Sequence, residues 1–188
     1  MSLDAGGYPS NDLIWVLEKQ LAHARVENWR SEDLFTWQWW LLMAVLFIPW
    51  LLWWKYSDKK RLLEIGLFGL IIIIVSSYLD AVLTELGLWL YNFWVGPLNP
   101  TLLPIDFSLI PVVYMFIYQR YNDWKHFFIA MLIVSAFFSF IGEASLVWLG
   151  IYELHGWRYV YSFPIYAAIG MIARLIARWL TARQSKSA

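Results

Sequence analysis

The chain has 188 residues, of which 61% are hydrophobic and 15% are charged, and its mean hydropathy is +0.54. A soluble domain is nearer half apolar and carries about a quarter charged residues, so this composition predicts an integral membrane protein. The zero net charge gives nucleic-acid binding no electrostatic support. The lack of cysteine excludes disulfides, thiolate metal sites and cysteine catalysis.

Residues 1–35 are predicted to form a loose arm followed by an amphipathic helix. From residue 12 to about residue 28, apolar residues recur at helical spacing opposite charged ones, and Ser10, Asn11 or Asp12 can cap the helix. We expect this helix to pack on the membrane bundle; the alternative is that it lies on the membrane surface.

Five membrane-spanning helices are predicted within residues 36–180, followed by a cytoplasmic tail at 181–188. A bilayer core of about 30 Å needs about 20 helical residues, and each apolar segment comes close to that length. The third span is the shortest, and Pro111 within it is expected to kink the helix. The five spans cover residues 36–54, 62–86, 102–118, 127–149 and 159–179.

The basic residues predict the orientation, because cytoplasmic loops carry an excess of Lys and Arg. The loops after spans one and three and the C-terminal end are basic, whereas the loop after span two has no Lys or Arg and the loop after span four has only Arg158. The C-terminus is therefore expected in the cytoplasm and the N-terminus outside.

A short pattern occurs twice, on spans two and four. In each, an acid is followed seven residues later by glycine and nine residues later by an aromatic residue: Asp80, Gly87 and Trp89, then Glu143, Gly150 and Tyr152. Spans three and five both open with Pro-Ile. These matches predict a parallel two-helix repeat of spans two–three and four–five, an arrangement that often places a binding site between its halves.

Three carboxylates, those of Asp80, Asp106 and Glu143, are predicted to lie in one layer in the outer half of the membrane. A rise of about 1.5 Å per residue puts the acids of spans two and four at similar heights, and Asp106 begins span three on the outer side. A carboxylate at membrane depth is costly, so each is a candidate functional or catalytic residue. The residues predicted to line a ligand site beside them are Ser76, Thr84, Trp89, Tyr114, Ser139, Tyr152 and Tyr166.

The sequence leaves four roles open for this carboxylate layer. A protonated acid could donate a proton to an alkene, with an aromatic face stabilising the carbocation. The oxygens could bind a hard cation, or the acids could relay protons. Each acid could instead hydrogen-bond a Ser, Tyr or Trp on a neighbouring helix and fix the packing.

The remaining polar residues predict no cofactor and no metal site. The three histidines share no metal-ligand spacing, and no phosphate-binding glycine loop or zinc motif is present. Arg174, on the inner half of span five, is expected to extend its side chain to the cytoplasmic headgroups.

Three stretches carry a family resemblance. They are Asp58-Lys59-Lys60-Arg61-Leu62-Leu63-Glu64-Ile65, Leu103-Pro104-Ile105-Asp106-Phe107-Ser108, and Ser139-Phe140-Ile141-Gly142-Glu143 with Ser162-Phe163-Pro164-Ile165-Tyr166. Together they resemble an uncharacterised family of small multi-pass membrane proteins of spore-forming bacteria of the Bacillus and Clostridium type. The resemblance covers roughly residues 36–180 and implies a protein of the bacterial cytoplasmic membrane, with no known activity.

A looser resemblance concerns chemistry. Asp80, Leu86-Gly87-Leu88-Trp89 and Leu103-Pro104-Ile105-Asp106 are similar to elements of the lycopene-cyclase domain of bacterial and fungal carotenoid enzymes. That family carries two adjacent acids where this chain has Asp106 and Phe107. The resemblance therefore implies a shared helical scaffold more than a shared reaction.

The leading hypothesis is a non-enzymatic membrane protein that holds a small apolar or lipid-like ligand, such as an isoprenoid, or a partner, in an aromatic cavity near the carboxylate layer. One alternative is an enzyme that protonates an isoprenoid or polyene, as a cyclase or isomerase does. Another is a cation or proton pathway. The lipid bilayer is the expected partner, and pairing with a second copy or another membrane protein stays open.

Overall fold

The computed structural model describes residues 10–99 and 101–187, with side chains as far as residue 183. The predicted N-terminal arm lies mostly outside these residues. Helix α1, Asn11–Asn28, begins at Ser10, whose hydroxyl oxygen accepts a hydrogen bond from the Leu13 amide at 3.3 Å. No residue of α1 is buried, so the expected packing of this helix on the bundle is not found.

Among the described residues, four helical segments are long and apolar enough to cross a membrane, judged by length and composition. They comprise helix α2, Trp37–Tyr56; helix α3, Leu62–Glu85, with a short turn before it; helices α5, Trp124–Phe137, and α6, Glu143–Trp148, joined by a wider π-helical turn, Phe138–Gly142; and most of helix α7, Tyr159–Ser187. Helix α7 includes most of the residues predicted as a separate tail.

The predicted third span is shorter than the others and lies at the centre of the bundle. It consists of a π-helical turn, Ile105–Leu109, and helix α4, Ile110–Arg120, which have 5 and 11 residues. Tyr114, Met115 and Tyr118 of α4 are buried, and α4 packs against α2, α3 and α5. Because neighbouring helices surround it, this helix is stable without the length that a lipid-facing span requires. A fifth span stays a prediction.

Pro111 lies in the first turn of α4, immediately after the π-helical turn. Proline has no N–H to donate to the carbonyl four residues earlier, which belongs to Phe107. The indole N–H of Trp50 in α2 donates to this carbonyl at 3.0 Å instead. A neighbouring helix thus satisfies the backbone group that the proline leaves free, as an apolar environment requires.

Helices α3 and α6 end in the same way and lead into two short strands that were not predicted. Gly87 and Gly150 follow these helices with φ of +71°, a left-handed conformation that favours glycine. Strand β1, Trp89–Tyr91, and strand β2, Tyr152–Leu154, then pair antiparallel. We call this end of the bundle the strand-pair end.

The opposite end of the bundle is basic, and Arg174 is its most buried cation. Its side chain was expected to reach the headgroups, but it is fully buried. Its guanidinium donates to the carbonyls of Tyr121 and Asn122 and lies 4.1 Å from the ring centroid of Phe127. The expectation was wrong because the carbonyls that follow α4 and an aromatic ring provide partners inside the protein.

Candidate functional site

The three predicted carboxylates line one cavity at the strand-pair end, which we call the carboxylate cavity. It has a volume of about 70 Å³ and lies between α3, the π-helical turn before α4, α6, α7 and the two strands. Asp80 is 8% exposed, Asp106 5% and Glu143 7%. Of the predicted ligand-site residues, Ser76, Trp89, Tyr152 and Tyr166 line this cavity.

Asp80 is held by three hydrogen-bond donors. The Trp89 indole N–H and the Tyr91 hydroxyl donate to its Oδ1 at 3.0 and 2.6 Å, and the Leu102 amide donates to its Oδ2 at 3.2 Å. Burial, reinforced by the charge of Asp80, raises the pKa of Tyr91 well above its ordinary value, so this hydroxyl keeps its proton and remains a donor. Asp80 thus ties α3 to β1 and to the segment before α4.

Asp106 lies in the π-helical turn before α4, and its side chain is within hydrogen-bonding reach of Asp80. Two carboxyl groups can form such a bond only when they share a proton. The Ser76 hydroxyl donates to the Asp106 backbone carbonyl at 3.4 Å. π-Helical turns inside helices are frequent at functional sites, and a second such turn immediately precedes Glu143.

Glu143, at the start of α6, has a different set of partners. The Ser162 hydroxyl donates to its Oε2 at 3.0 Å, and the Trp157 indole N–H donates to Ser162 at 2.8 Å. The Tyr166 hydroxyl also hydrogen-bonds Glu143. These direct partners are hydroxyls of a single neighbouring helix, α7, whereas Asp80 is tied to two separate segments.

Aromatic rings from the strand pair and the loop after it line the carboxylate cavity. Trp89 packs edge-on against Tyr152 and Trp157, with ring centroids 5.9 and 5.2 Å apart, and Tyr91 stacks on Tyr152 at 5.4 Å. Burial raises the pKa of Tyr152, so its hydroxyl also keeps its proton. The cavity therefore combines three carboxyl groups with a cluster of rings.

Three other predicted ligand-site residues lie outside this cavity. Thr84 lines a second cavity, to which Trp89 also contributes. Tyr114 is buried in the bundle centre, where its hydroxyl donates to the Tyr166 carbonyl at 2.9 Å. Ser139 is fully buried in the π-helical turn before Glu143, and its hydroxyl has no partner within the described part of the chain.

The ligand-site residues predicted from the sequence did not include Tyr91, Trp157 or Ser162. Tyr91 follows Trp89 by two residues, and in an extended strand two such side chains share a face. That spacing could have identified it. Trp157 and Ser162 carry no comparable local signal, since only the packing of α7 against the π-helical turn before α6 brings them to Glu143.

The chemistry available in the carboxylate cavity is mainly that of hydrogen-bond acceptors. Carboxylate oxygens accept from ligand N–H or O–H groups, a hydrogen bond between Asp80 and Asp106 requires a shared proton, and ring faces attract cations. Within residues 10–99 and 101–187, no group of three or more His, Asp or Glu side chains is arranged to hold a metal ion.

Comparison with protein-family models, curated proteins and solved structures finds no match to this chain. The fold defines only a class: its four long apolar helices are consistent with a multi-pass membrane protein. The two family resemblances therefore stay predictions.

Proposed function

We propose that this protein binds a lipid-like or apolar ligand, such as an isoprenoid, whose polar end enters the carboxylate cavity. The observation that carries the proposal is the meeting of three buried carboxyl groups from three helical segments with a cluster of aromatic rings in one cavity. Burying a carboxyl group in a membrane protein is costly, so such groups are functional-site hypotheses by default. A ligand end with N–H or O–H groups would donate hydrogen bonds to them and offset part of that cost.

The size of the cavity indicates how such a ligand fits. A volume of about 70 Å³ has room for about five to seven water molecules, at roughly 10–15 Å³ each. It therefore admits one end of a ligand rather than a whole polyene. The partly exposed leucines in its wall, Leu79, Leu83 and Leu146, offer the apolar remainder a way into the bilayer.

A second candidate, protonation of an isoprenoid or polyene, is favoured by the Asp80–Asp106 pair. Asp80 already accepts three hydrogen bonds, which stabilise it as the carboxylate, so the shared proton belongs on Asp106. Asp106 would transfer this proton to one alkene carbon, leaving a carboxylate and a carbocation that nearby rings stabilise. Loss of a proton from the carbon next to the cation to Asp106 would form the new double bond and restore the acid.

We also propose that the chain is a bacterial cytoplasmic-membrane protein with five spans, its N-terminus outside and its C-terminus in the cytoplasm. The basic residues at one end of the bundle support this orientation, which places the carboxylate cavity in the outer leaflet. The proposed two-helix repeat is supported by the matching glycines. It is also supported by the strand register, in which Leu90 pairs with Glu153, its equivalent in the repeat, and Trp89 pairs with Leu154.

The test compares the lipids that co-purify from native membranes with wild type and with the Asp106→Asn and Glu143→Gln variants, by mass spectrometry. Glu85→Gln is the matched control, because Glu85 is an exposed acid at the end of α3. A molecule retained by wild type and the control but lost from both variants supports ligand binding. The same bulk phospholipid in all four proteins would refute it.

The enzyme candidate needs a separate readout. The ligand found in this way is incubated with protein in D2O, and deuterium at carbon is measured. Incorporation by wild type but not by Asp106→Asn supports protonation. Ligand binding without any incorporation leaves the binding function and excludes this reaction.

A further inference from the structure

Among the described residues, the wall of the carboxylate cavity contains no positively charged side chain. Its lining residues are apolar, aromatic, hydroxyl-bearing or acidic, and none of the ion pairs within the described part of the chain involves Asp80, Asp106 or Glu143. Asp80 accepts three hydrogen bonds, which stabilise it as the carboxylate. A buried charge without a counter-charge is costly, so a cation in this cavity would be stabilised.

The opposite end of the bundle shows a carboxylate whose counter-charge comes from the chain itself. Glu64 of α3 forms an ion pair with Arg61 at 3.0 Å, and the two side chains are 24% and 26% exposed. The described residues thus provide a guanidinium for this partly buried acid and none for the three acids that are buried more deeply. The counter-charge in the carboxylate cavity is therefore left for a ligand to supply.

A tyrosine hydroxyl in the wall of the same cavity lacks a partner. Tyr152 lines the cavity and is 6% exposed, and its hydroxyl forms no hydrogen bond with any described residue. It lies close enough to Asp80, Asp106 and Glu143 to interact electrostatically with all three. A polar group this buried is normally hydrogen-bonded. An unpaired hydroxyl beside the carboxyl groups indicates a place for a polar group of a ligand.

The carboxyl groups of Asp106 and Glu143 lie around a second tyrosine. The Tyr166 hydroxyl hydrogen-bonds Glu143 and also interacts electrostatically with Asp106. Asp106 is in turn within hydrogen-bonding reach of Asp80. In a cavity of about 70 Å³, one small polar group can therefore meet more than one of these carboxyl groups.

On the basis of the function proposed above, we propose that the polar end of the ligand is a primary ammonium, which makes the ligand an amphiphilic amine. An ammonium supplies the positive charge that the cavity lacks, and its three N–H groups can donate to Asp106, Glu143 and the Tyr152 hydroxyl oxygen. A phosphate or carboxylate end would add negative charge beside Asp80, and an alcohol would bring no charge. A quaternary ammonium has no N–H group to donate.

The aromatic rings of the cavity fit the same assignment. Trp89, Tyr152 and Trp157 line it, and the ring centroid of Trp89 lies 5.9 and 5.2 Å from those of the other two. A cation within about 6 Å of the face of such a ring is attracted by it, most strongly by tryptophan. The ammonium would thus be held by rings as well as by oxygens.

The test measures the binding of decylamine, decanol and decanoate to delipidated protein in one non-ionic detergent at about pH 7, by native mass spectrometry. The three probes share one alkyl chain, and at this pH the amine is an ammonium and the acid a carboxylate. Wild type is expected to bind decylamine about tenfold more tightly than decanol, and decanoate more weakly still, because charge-assisted hydrogen bonds are about twice as strong as neutral ones. Decyltrimethylammonium, which has no N–H group, is expected to bind about fivefold more weakly than decylamine.

Tyr152→Phe separates ligand binding from folding. It removes a hydroxyl that has no partner among the described residues and keeps the ring that stacks on Tyr91, so the variant should unfold like wild type. Its binding of decylamine should nevertheless weaken about three- to tenfold. Asp106→Asn and Glu143→Gln each remove a carboxyl group and should reduce the preference for decylamine over decanol below about threefold.

Glu85→Gln is the matched control, because it changes an exposed acid outside the cavity lining in the same way. A preference that falls as much in Glu85→Gln as in the cavity variants would show a general attraction of cations to the protein and overturn the assignment. Equal binding of decylamine and decanol by wild type, or of decylamine and decyltrimethylammonium, would also overturn it. If the two acid variants do not fold, Tyr152→Phe decides, and unchanged decylamine binding by this variant contradicts the proposal.

The two proposals can fail separately. A neutral or anionic molecule that co-purifies with wild type and is lost from Asp106→Asn and Glu143→Gln leaves the proposed function standing and overturns the amine assignment. A decylamine preference that depends on these acids, with the same bulk phospholipid in every purified protein, establishes the ammonium site and refutes the proposed function.

Discussion

Replacing Asp80 with alanine should detach the strand pair from α3. The change removes the acceptor of three donors, those of Trp89, Tyr91 and Leu102. In membrane proteins such a hydrogen bond contributes about 0.6 kcal/mol on average and up to about 1.7 kcal/mol. Losing three of them should therefore lower the free energy of unfolding by about 2 to 5 kcal/mol. Asp80→Asn keeps the Oδ1 acceptor but sets an NH2 group against the Leu102 amide, so it should lose about a third as much.

The assay is unfolding in mixed micelles by titration with sodium dodecyl sulfate, followed by tryptophan fluorescence. Glu85→Ala is the matched control, because it removes an exposed acid from the same helix and should change the free energy of unfolding by less than about 0.5 kcal/mol. A double-mutant cycle of Asp80→Ala with Tyr91→Phe isolates one of the three bonds, with an expected coupling of about 1 kcal/mol.

Glu143 provides the contrast. In Glu143→Gln the side-chain oxygen still accepts from Ser162 and Tyr166, so stability should change by less than about 1 kcal/mol although the proposed ligand is lost. An Asp80→Ala variant as stable as Glu85→Ala would show that the acceptor at residue 80 does not hold the strand pair, and would refute the structural role assigned to it.

Three further predictions use other parts of the bundle. In α3, Gly66→Ala should raise the free energy of unfolding by about 0.5–1 kcal/mol, since the added Cβ meets no heavy atom within 4 Å. Gly69→Ala should lower it by about 1–3 kcal/mol, because its Cβ would collide with the Met115 side chain. Equal effects of the two changes in the same assay would contradict this. Arg174→Met should lower the free energy of unfolding by about 1–3 kcal/mol, because it removes the donor to the Tyr121 carbonyl and one of the two donors to the Asn122 carbonyl, the other being Arg178. A gain in stability would show that burying the charge costs more than its hydrogen bonds contribute. Burial raises the pKa of Asp33 above its ordinary value of 3.8, so this carboxyl contributes most to folding stability below pH 3.8 and contributes less as pH rises through the raised pKa. Between about pH 4 and 7, the free energy of unfolding of wild type should therefore fall with pH in a way that Asp33→Asn does not show. Parallel pH curves for the two proteins would refute this.

Most of the helices could be predicted from the sequence to within a few residues, although α7 continues to Ser187, well beyond the predicted end of span five at residue 179. The first span was placed at residues 36–54 and α2 covers Trp37–Tyr56, because length and apolar composition are local properties that a bilayer selects. The strands could not be predicted in this way. Trp89–Tyr91 has only three residues, and its partner strand lies far along the chain. A segment this short shows no recognisable alternation of apolar and polar residues, so local sequence does not predict the pairing.

The sequence by itself predicted long apolar helices consistent with a membrane protein, and it identified Asp80, Asp106 and Glu143 as acids within or beside them. Both predictions follow from the cost of placing a given side chain in lipid. Only the tertiary structure decided which groups those acids meet. The fold brings Asp80 close to Asp106, places Glu143 against Ser162 of α7, and buries Asp33 with one oxygen that has no partner among the described residues. The physical reason is that desolvation depends on residue type and depth, whereas a hydrogen bond requires two groups within about 3 Å, and only the folded chain brings groups from different segments that close.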